Sequence, residues 1–289
     1  MQDRIEYILF IALSYVVRAL GLSLSRRLSY LLAAFFYYLV PIRKKTVKEN
    51  LQKAFPACSK SKINKIAFGS YLSFCITLIE ILYLPAISKS ELESAVNYTD
   101  IPLMREKYNE GKGLIFLGAH FGNWEYIALS VAVRLEIPIT VIVKTQRNTL
   151  VTNWLDDVRV RFGNKIVHLG ISIRQVYKEL KEKRIVAMVA DQRGPSEGIR
   201  INFMGRKASV FSGPALLALK TGAPIIFGIT IRQPDFSYKT AIEVISTDDL
   251  PEEDELKVTE LSQRHATVLE KYIKQFPEQW FWMHKRWKY

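Results

Sequence analysis

Short runs of uniformly apolar residues recur along the chain, at 114–117, 139–143, 165–169, 185–190, 225–231 and 241–245. Stretches with apolar positions at helical spacing stand between and after them, at 124–135, 150–162, 174–183, 214–220 and 258–276. A short apolar run marks a strand buried on both faces, whereas three- and four-residue spacing marks one face of a helix. This alternation predicts an α/β domain with a central, mostly parallel or mixed sheet flanked by helices. Ahead of it, 45–55 and 61–83 read as helices, with Pro56 and Pro85 as breakers.

The amino end has a different pattern. Residues 7–17 carry no charge, and a second apolar run at 28–42 lies between Arg26-Arg27 and Arg43-Lys44-Lys45. A membrane span needs about 20 mostly apolar residues, and 5–24 reaches that length only by including Glu6 and Arg18. No charged leader and cleavage site frame a signal peptide. We read 1–45 as a hydrophobic helical membrane-anchoring element, either one marginal span or helices lying in the interface, and 46–289 as the α/β domain. A pair of buried helices is the alternative. The basic clusters would face anionic headgroups on the cytoplasmic side. No linker or solenoid repeat divides the chain.

Charge sharpens this picture. A formal net charge of +13 and a pI near 9.6 suit a polyanionic partner. No nucleic-acid reading module accompanies the charge, so a membrane is favoured and nucleic acid is not expected. Trp280, Trp282 and Trp287 stand among Lys285, Arg286 and Lys288. They fit an interfacial aromatic belt, with core packing as the alternative. Cys58 and Cys75 show no metal-type spacing and give no reason for a disulfide, which suits a reducing compartment.

The candidate chemistry lies in HFGNWE, 120–125, directly after the run at 114–117. Ligands gather beyond the carboxyl ends of strands in open α/β sheets. Asn123 can cap the following helix, Glu125 falls in its first turn, and Gly122 allows a tight turn. From there Glu125 can fold back toward the His120 imidazole. A carboxylate on one ring nitrogen fixes the tautomer and leaves the other nitrogen as a general base. The alternative is a structural histidine with a helix-capping acid.

A second stretch, VAMVADQRG at 186–194, puts Asp191 and Gln192 on the same rim. They either position substrate or brace the site, or else satisfy loop backbone. Arg159, Arg161, Arg193, Arg200, Arg206 and Lys207 supply positive charge for phosphate oxygens. No nucleophile elbow, Walker loop or dinucleotide loop is present. His168, His265 and His284 lack metal-ligand spacing, and His265 is expected on the surface. No serine or cysteine adjoins His120 in sequence, so the base would activate the substrate's own hydroxyl, with a nucleophile brought close by the fold as the alternative.

These residues resemble the lysophospholipid acyltransferase superfamily, whose hallmark is a His followed five positions later by Asp or Glu. The likeness is greatest to its bacterial branch, the late acyltransferases of lipid A biosynthesis. It rests on HFGNWE, on Asn148 and Arg159 before Phe162-Gly163, on Ala190-Asp191-Gln192, and on FMGR at 203–206. It continues through GPALLA at 213–218, TGAP at 221–224 and the ending 277–288. Met204 and the approach 144–147 depart from the usual pattern, which bears on the acceptor and not on the reaction.

The resemblance implies an inner-membrane enzyme on the cytoplasmic face. Its donor would be an acyl thioester on acyl carrier protein, or on coenzyme A. Its acceptor would be a hydroxyl of a lipid A precursor or a related phosphorylated glycolipid or lysolipid. His120 is expected as the base and Glu125 as its orienting acid. Substrate contacts are expected from Asn123, Arg159, Asp191 and Gln192, and oxyanion donors from the amides of 121–123. Neither metal nor organic cofactor is required. The rival readings are a lysophospholipid or other glycolipid acyltransferase using acyl-CoA, and a membrane-associated thioester hydrolase.

Overall fold

A computed structural model describes residues 1–170 and 173–288. The chain opens with α1 (Gln2–Leu20) and α2 (Leu22–Ala34), which are separated by Gly21 at φ +75°. A π-helical turn at Phe35–Leu39 leads to α3 (Lys44–Ala54) and α4 (Lys60–Tyr83). Ser59 caps α4 by accepting the Lys62 amide. Next come α5 (Lys89–Ala95), β1 (Val96–Asn97) and α6 (Ile101–Asn109).

The repeating part follows: β2 (Leu114–Gly118), α7 (Trp124–Leu135), β3 (Ile139–Val143), α8 (Thr149–Val160), β4 (Lys165–His168), α9 (Ile173–Lys181) and β5 (Ile185–Val189). A hairpin of β6 (Arg200–Phe203) and β7 (Arg206–Ser209) precedes α10 (Gly213–Thr221). The chain then forms β8 (Ile225–Arg232), β9 (Tyr238–Ile245), α11 (Asp254–Gln275) and a 3-10 turn at Pro277–Gln279.

Seven strands make one sheet in the order β1-β9-β8-β2-β5-β3-β4. Every neighbouring pair is parallel except β8 and β9. β2 lies at the centre and is buried at each of its residues, as its unbroken apolar run requires. The expected α/β architecture is therefore the one formed. The pattern of apolar runs does not reveal α5, α6, β1 or the β6–β7 hairpin. Two of these are helices of seven and nine residues with one buried apolar residue each, too few to mark a stripe, and β1 has two residues. The hairpin turns at Met204 and Gly205, both at positive φ, the backbone of a tight two-residue hairpin.

α4 is the one described helix long and apolar enough to cross a membrane, but most of it is core. Ala67, Tyr71, Cys75 and Leu82 are at most 1% exposed. α1 and α2 lie against it, with Ser14 donating to the Leu82 carbonyl at 2.8 Å and Phe10 edge-on to Trp154 of α8. Their outer side remains apolar and open, with Ile8, Leu9 and Leu31 each more than 60% exposed, as is Leu39 of the π-helical turn.

The carboxyl end goes the other way. Trp280, Trp282 and Trp287 are buried in the main core, so the packing alternative holds and the interfacial belt does not form. His265 also differs from its surface expectation. It lies on the inward side of α11 at 6% exposure, where burial first and the Arg286 charge second push its imidazole down to about 4.

Candidate active site

Strand register builds the site. β2 and β5 run parallel with Gly118 opposite Val189, so two residues further on His120 and Asp191 emerge side by side. His120 Nδ1 and Asp191 Oδ1 are 2.7 Å apart, and the His120 amide donates to Asp191 Oδ2 at 3.0 Å. The Trp280 indole N–H also donates to Oδ2, at 2.8 Å. Burial alone would raise the Asp191 pKa, but the His120 charge and these three hydrogen bonds hold it below the usual carboxylate value.

For His120 the balance runs the opposite way. Burial pushes the imidazole down, yet the Asp191 charge and hydrogen bond, with the Glu125 charge behind them, leave it raised above 6.5. Because Nδ1 is engaged by a carboxylate, Nε2 is the nitrogen left for a substrate. The side chain is 20% exposed and lies between Trp124 and Phe281, with ring centroids 5.1 and 6.1 Å away.

Glu125 is expected against His120, but its hydrogen bonds go elsewhere. Arg159 of α8 grips it with both prongs, Nε to Oε2 at 2.9 Å and Nη2 to Oε1 at 2.6 Å. A carboxylate at 6% exposure in the first turn of α7 needs a close cation, and the last turn of α8 supplies one. Asp191, one strand over, takes the place beside the imidazole that sequence spacing assigns to Glu125. Arg159, expected to meet substrate, is thereby occupied by Glu125, with Asp156 at 3.5 Å from Nη1.

Asn123 is likewise committed inside the fold, at 0% exposure. Its Oδ1 accepts the amides of Glu125 and Tyr126 at 3.1 and 3.0 Å, and its Nδ2 donates to Glu80 at 2.8 Å. Of the four expected substrate contacts, Asp191 is part of the histidine pair, and Gln192 follows it half-buried on the rim.

The loop amides are also spent. Phe121 donates to the Ala119 carbonyl, Gly122 to the Gln279 carbonyl, and Asn123 to the Thr230 hydroxyl, at 2.7, 2.9 and 3.0 Å. The structure therefore gives the oxyanion donors expected at 121–123 to the protein's own acceptors. Gly122 has φ +56°, and a Cβ there would stand 1.9 Å from the Thr230 carbonyl oxygen, so no other residue fits without moving β8.

The segment after α11 closes the loop from above. Phe281 donates its amide to the His120 carbonyl at 2.9 Å, and Trp280 bridges Phe121 in antiparallel fashion. Sequence reasoning misses Trp280 as a site residue because nothing in its neighbourhood along the chain points to an aspartate beyond β5. Other basic candidates have structural partners. Arg161 donates to the Leu84 and Ile87 carbonyls, Arg206 to the Lys53 carbonyl, and Arg193 Nη1 to the Lys285 carbonyl at 3.5 Å.

Residues 3–289 match the family described as bacterial lipid A biosynthesis acyltransferase. The chain belongs to that family. Its members are acyltransferases, and the histidine loop at 120–125 falls inside the match. The chain is similar to a lipid A biosynthesis lauroyltransferase of Escherichia coli, 23% identical over 85% of this chain and 79% of the relative. A palmitoleoyltransferase of the same organism is 20% identical over the same shares. A phosphatidylinositol mannoside acyltransferase of Mycolicibacterium smegmatis is 23% identical over 50% of this chain, which there spans about half of the relative's length (49%).

Proposed function

We propose that this protein moves a fatty-acyl chain from an acyl thioester, on acyl carrier protein or coenzyme A, to a hydroxyl of a lipid A precursor or related glycolipid. The observation that carries the reading is the His120–Asp191 pair at the carboxyl end of β2, with Nε2 unengaged among the described residues, in a chain of this family. Nε2 takes the proton of the acceptor hydroxyl as its oxygen attacks the thioester carbonyl. The carbon–sulfur bond then breaks, and the imidazolium returns the proton to the thiolate, leaving an ester and a free thiol. Asp191 holds the ring and stabilises the imidazolium. Glu125, neutralised in part by Arg159, adds negative potential and joins α7 to α8 beside the ring. Gln192 remains the substrate contact we favour.

The open apolar side of α1 and α2 supports a site at a membrane surface, and the positive charge supports the anionic cytoplasmic leaflet of a bacterial inner membrane. Similarity to a mannoside acyltransferase favours a second reading, in which the acceptor is a mannosylated lipid.

The test is acyl transfer in vesicles by the full chain with acyl carrier protein or coenzyme A thioesters, and mass spectrometry of the lipid product. His120→Ala is expected to lose at least about 10²–10⁴-fold, the usual contribution of a positioned base. Wild-type turnover in a folded His120→Ala protein would overturn the mechanism. Activity needs neutral His120, so kcat/KM should rise with pH through a value above 6.5. Asp191→Asn removes the main influence raising that pKa, so the acid limb moves to lower pH while the plateau falls.

A further inference from the structure

Glu80, on the inner side of α4, is a carboxylate at 0% exposure that the proposed chemistry does not use. A buried charge persists only where it is paired and hydrogen-bonded. Its partners come from four separate segments. Arg26 of α2 donates from Nε at 2.8 Å, with Nη2 at 2.7 Å from the same oxygen. Asn123 Nδ2 donates to the other oxygen at 2.8 Å, as does the Tyr238 hydroxyl from the start of β9. Arg232, at the end of β8, stands 3.7 Å away and donates to the hydroxyls of Ser73 and Thr77. Thr77 donates in turn to the Gly122 carbonyl at 2.7 Å.

Both residues between Phe121 and α7 are thus held by this cluster, Gly122 through its carbonyl and Asn123 through its side chain. The Asn123 amide caps the helix that carries Glu125. A hydrogen bond to Asn123 alone needs no ionised partner. The charge on Glu80 makes a demand on α2, because Arg26 supplies the hydrogen-bonded guanidinium, whereas Arg232 adds its charge from 3.7 Å. We propose that Glu80, bridged to α2 by Arg26, is a positioning residue for the loop 120–125. The amino-terminal helices then complete the active site as well as attaching it to a membrane.

The inference rests on the reading of 120–125 as the catalytic loop, so one readout is chosen that needs no substrate. Full-length Arg26→Gln, Arg26→Lys, Glu80→Gln and the Arg26→Gln/Glu80→Gln double variant are compared with wild type in phospholipid vesicles. Amide hydrogen exchange is followed by mass spectrometry, and acyl transfer is followed alongside it. In Arg26→Gln, exchange across 120–126 is expected to quicken at least about tenfold while the sheet strands stay protected. The kcat should fall about 10–100-fold, the usual penalty of a misplaced site, with KM and the vesicle-bound fraction unchanged. Arg26→Lys should recover most of both. If Arg26 acts through Glu80, the double variant is no worse than Glu80→Gln alone.

Unchanged exchange at 120–126 in folded Arg26→Gln would overturn the proposal, as would a loss that follows vesicle binding instead of kcat. Should Glu80→Gln fail to fold, Arg26→Gln and Arg26→Lys decide alone. Absence of acyl transfer by the wild type, with the exchange effect intact, would count against the proposed reaction and not against this linkage.

Discussion

The two ends of this chain are made of the same materials and fold to opposite fates. Residues 1–45 and 277–288 both mix aromatic side chains with arginine and lysine. The first end exposes that surface and the second buries it. The difference lies in how each satisfies its backbone. α1 and α2 bond their own amides and carbonyls internally, so one face can stay open to a lipid surface. The segment after the 3-10 turn has little regular structure and must find partners elsewhere. Asn50 donates to the carbonyls of Trp282 and His284 at 2.8 and 2.6 Å, and the histidine loop pairs with residues 279–281. Those bonds lock it in the interior and draw its tryptophans into the core.

The contrast is open to direct attack. The largest effect is expected for Trp282→Ala, which empties a fully buried indole site and should cost about 3–5 kcal/mol in denaturant unfolding. The same replacement at Leu31, 65% exposed, should change stability by less than about 0.5 kcal/mol. Equal losses at both positions would erase the distinction.

Acid should find the carboxyl-terminal half next. His265 binds a proton near 6.5 when unfolded but only near 4 when folded. Stability present above pH 6.5 is therefore lost as pH falls toward 4. The loss reaches about 3 kcal/mol, since each pH unit between the two values is worth about 1.4 kcal/mol. His265→Leu should flatten that decline in unfolding curves taken at pH 7 and pH 5, and an unchanged slope would remove His265 as its source.

At the other end, Ile8, Leu9 and Leu31 replaced together by serine should weaken vesicle association roughly 10–100-fold, from the lost transfer free energy of partly inserted side chains. The thermal midpoint should hold. A drop in midpoint with binding intact would show these residues to be packed and not lipid-facing. The smallest effect is expected for Trp280→Phe, which keeps an aromatic ring and removes one donor to Asp191. With less of its charge spent, Asp191 holds the imidazolium more strongly, so the acid limb of kcat/KM should move upward while kcat falls about tenfold, near 1.4 kcal/mol.

Much of the architecture can be read from the chain because its central strands, such as β2 and β5, are uniformly apolar and its longer helices periodic. The bounds expected at 124–135 and 139–143 are those of α7 and β3. His120 is legible for a local reason, its place just past a strand. Its carboxylate partner is not, because Glu125 lies nearby along the chain while Asp191 is brought in by register between β2 and β5. Sequence spacing favours the nearer acid, whereas sheet pairing decides the actual contact. The same limit applies to Trp280 and to the Arg26–Glu80 pair, whose meaning depends on packing across distant segments. Arg159 and Asn123 stand out as site residues in the sequence, but the partners that occupy them emerge only when α7, α8 and α4 are placed together.

The pairing of residues 279–281 with the histidine loop also has a consequence for how the protein is made. α1 and α2 are synthesised before the sheet, whose strands follow them along the chain. His120, Asp191 and the whole sheet are all made before the indole that steadies Asp191 and the amide that ties down the histidine carbonyl. A nascent chain that already holds the whole sheet therefore still lacks the contacts that tie down its histidine loop. Premature termination before residue 280 would leave His120 and Asp191 without the Trp280 and Phe281 contacts that brace them.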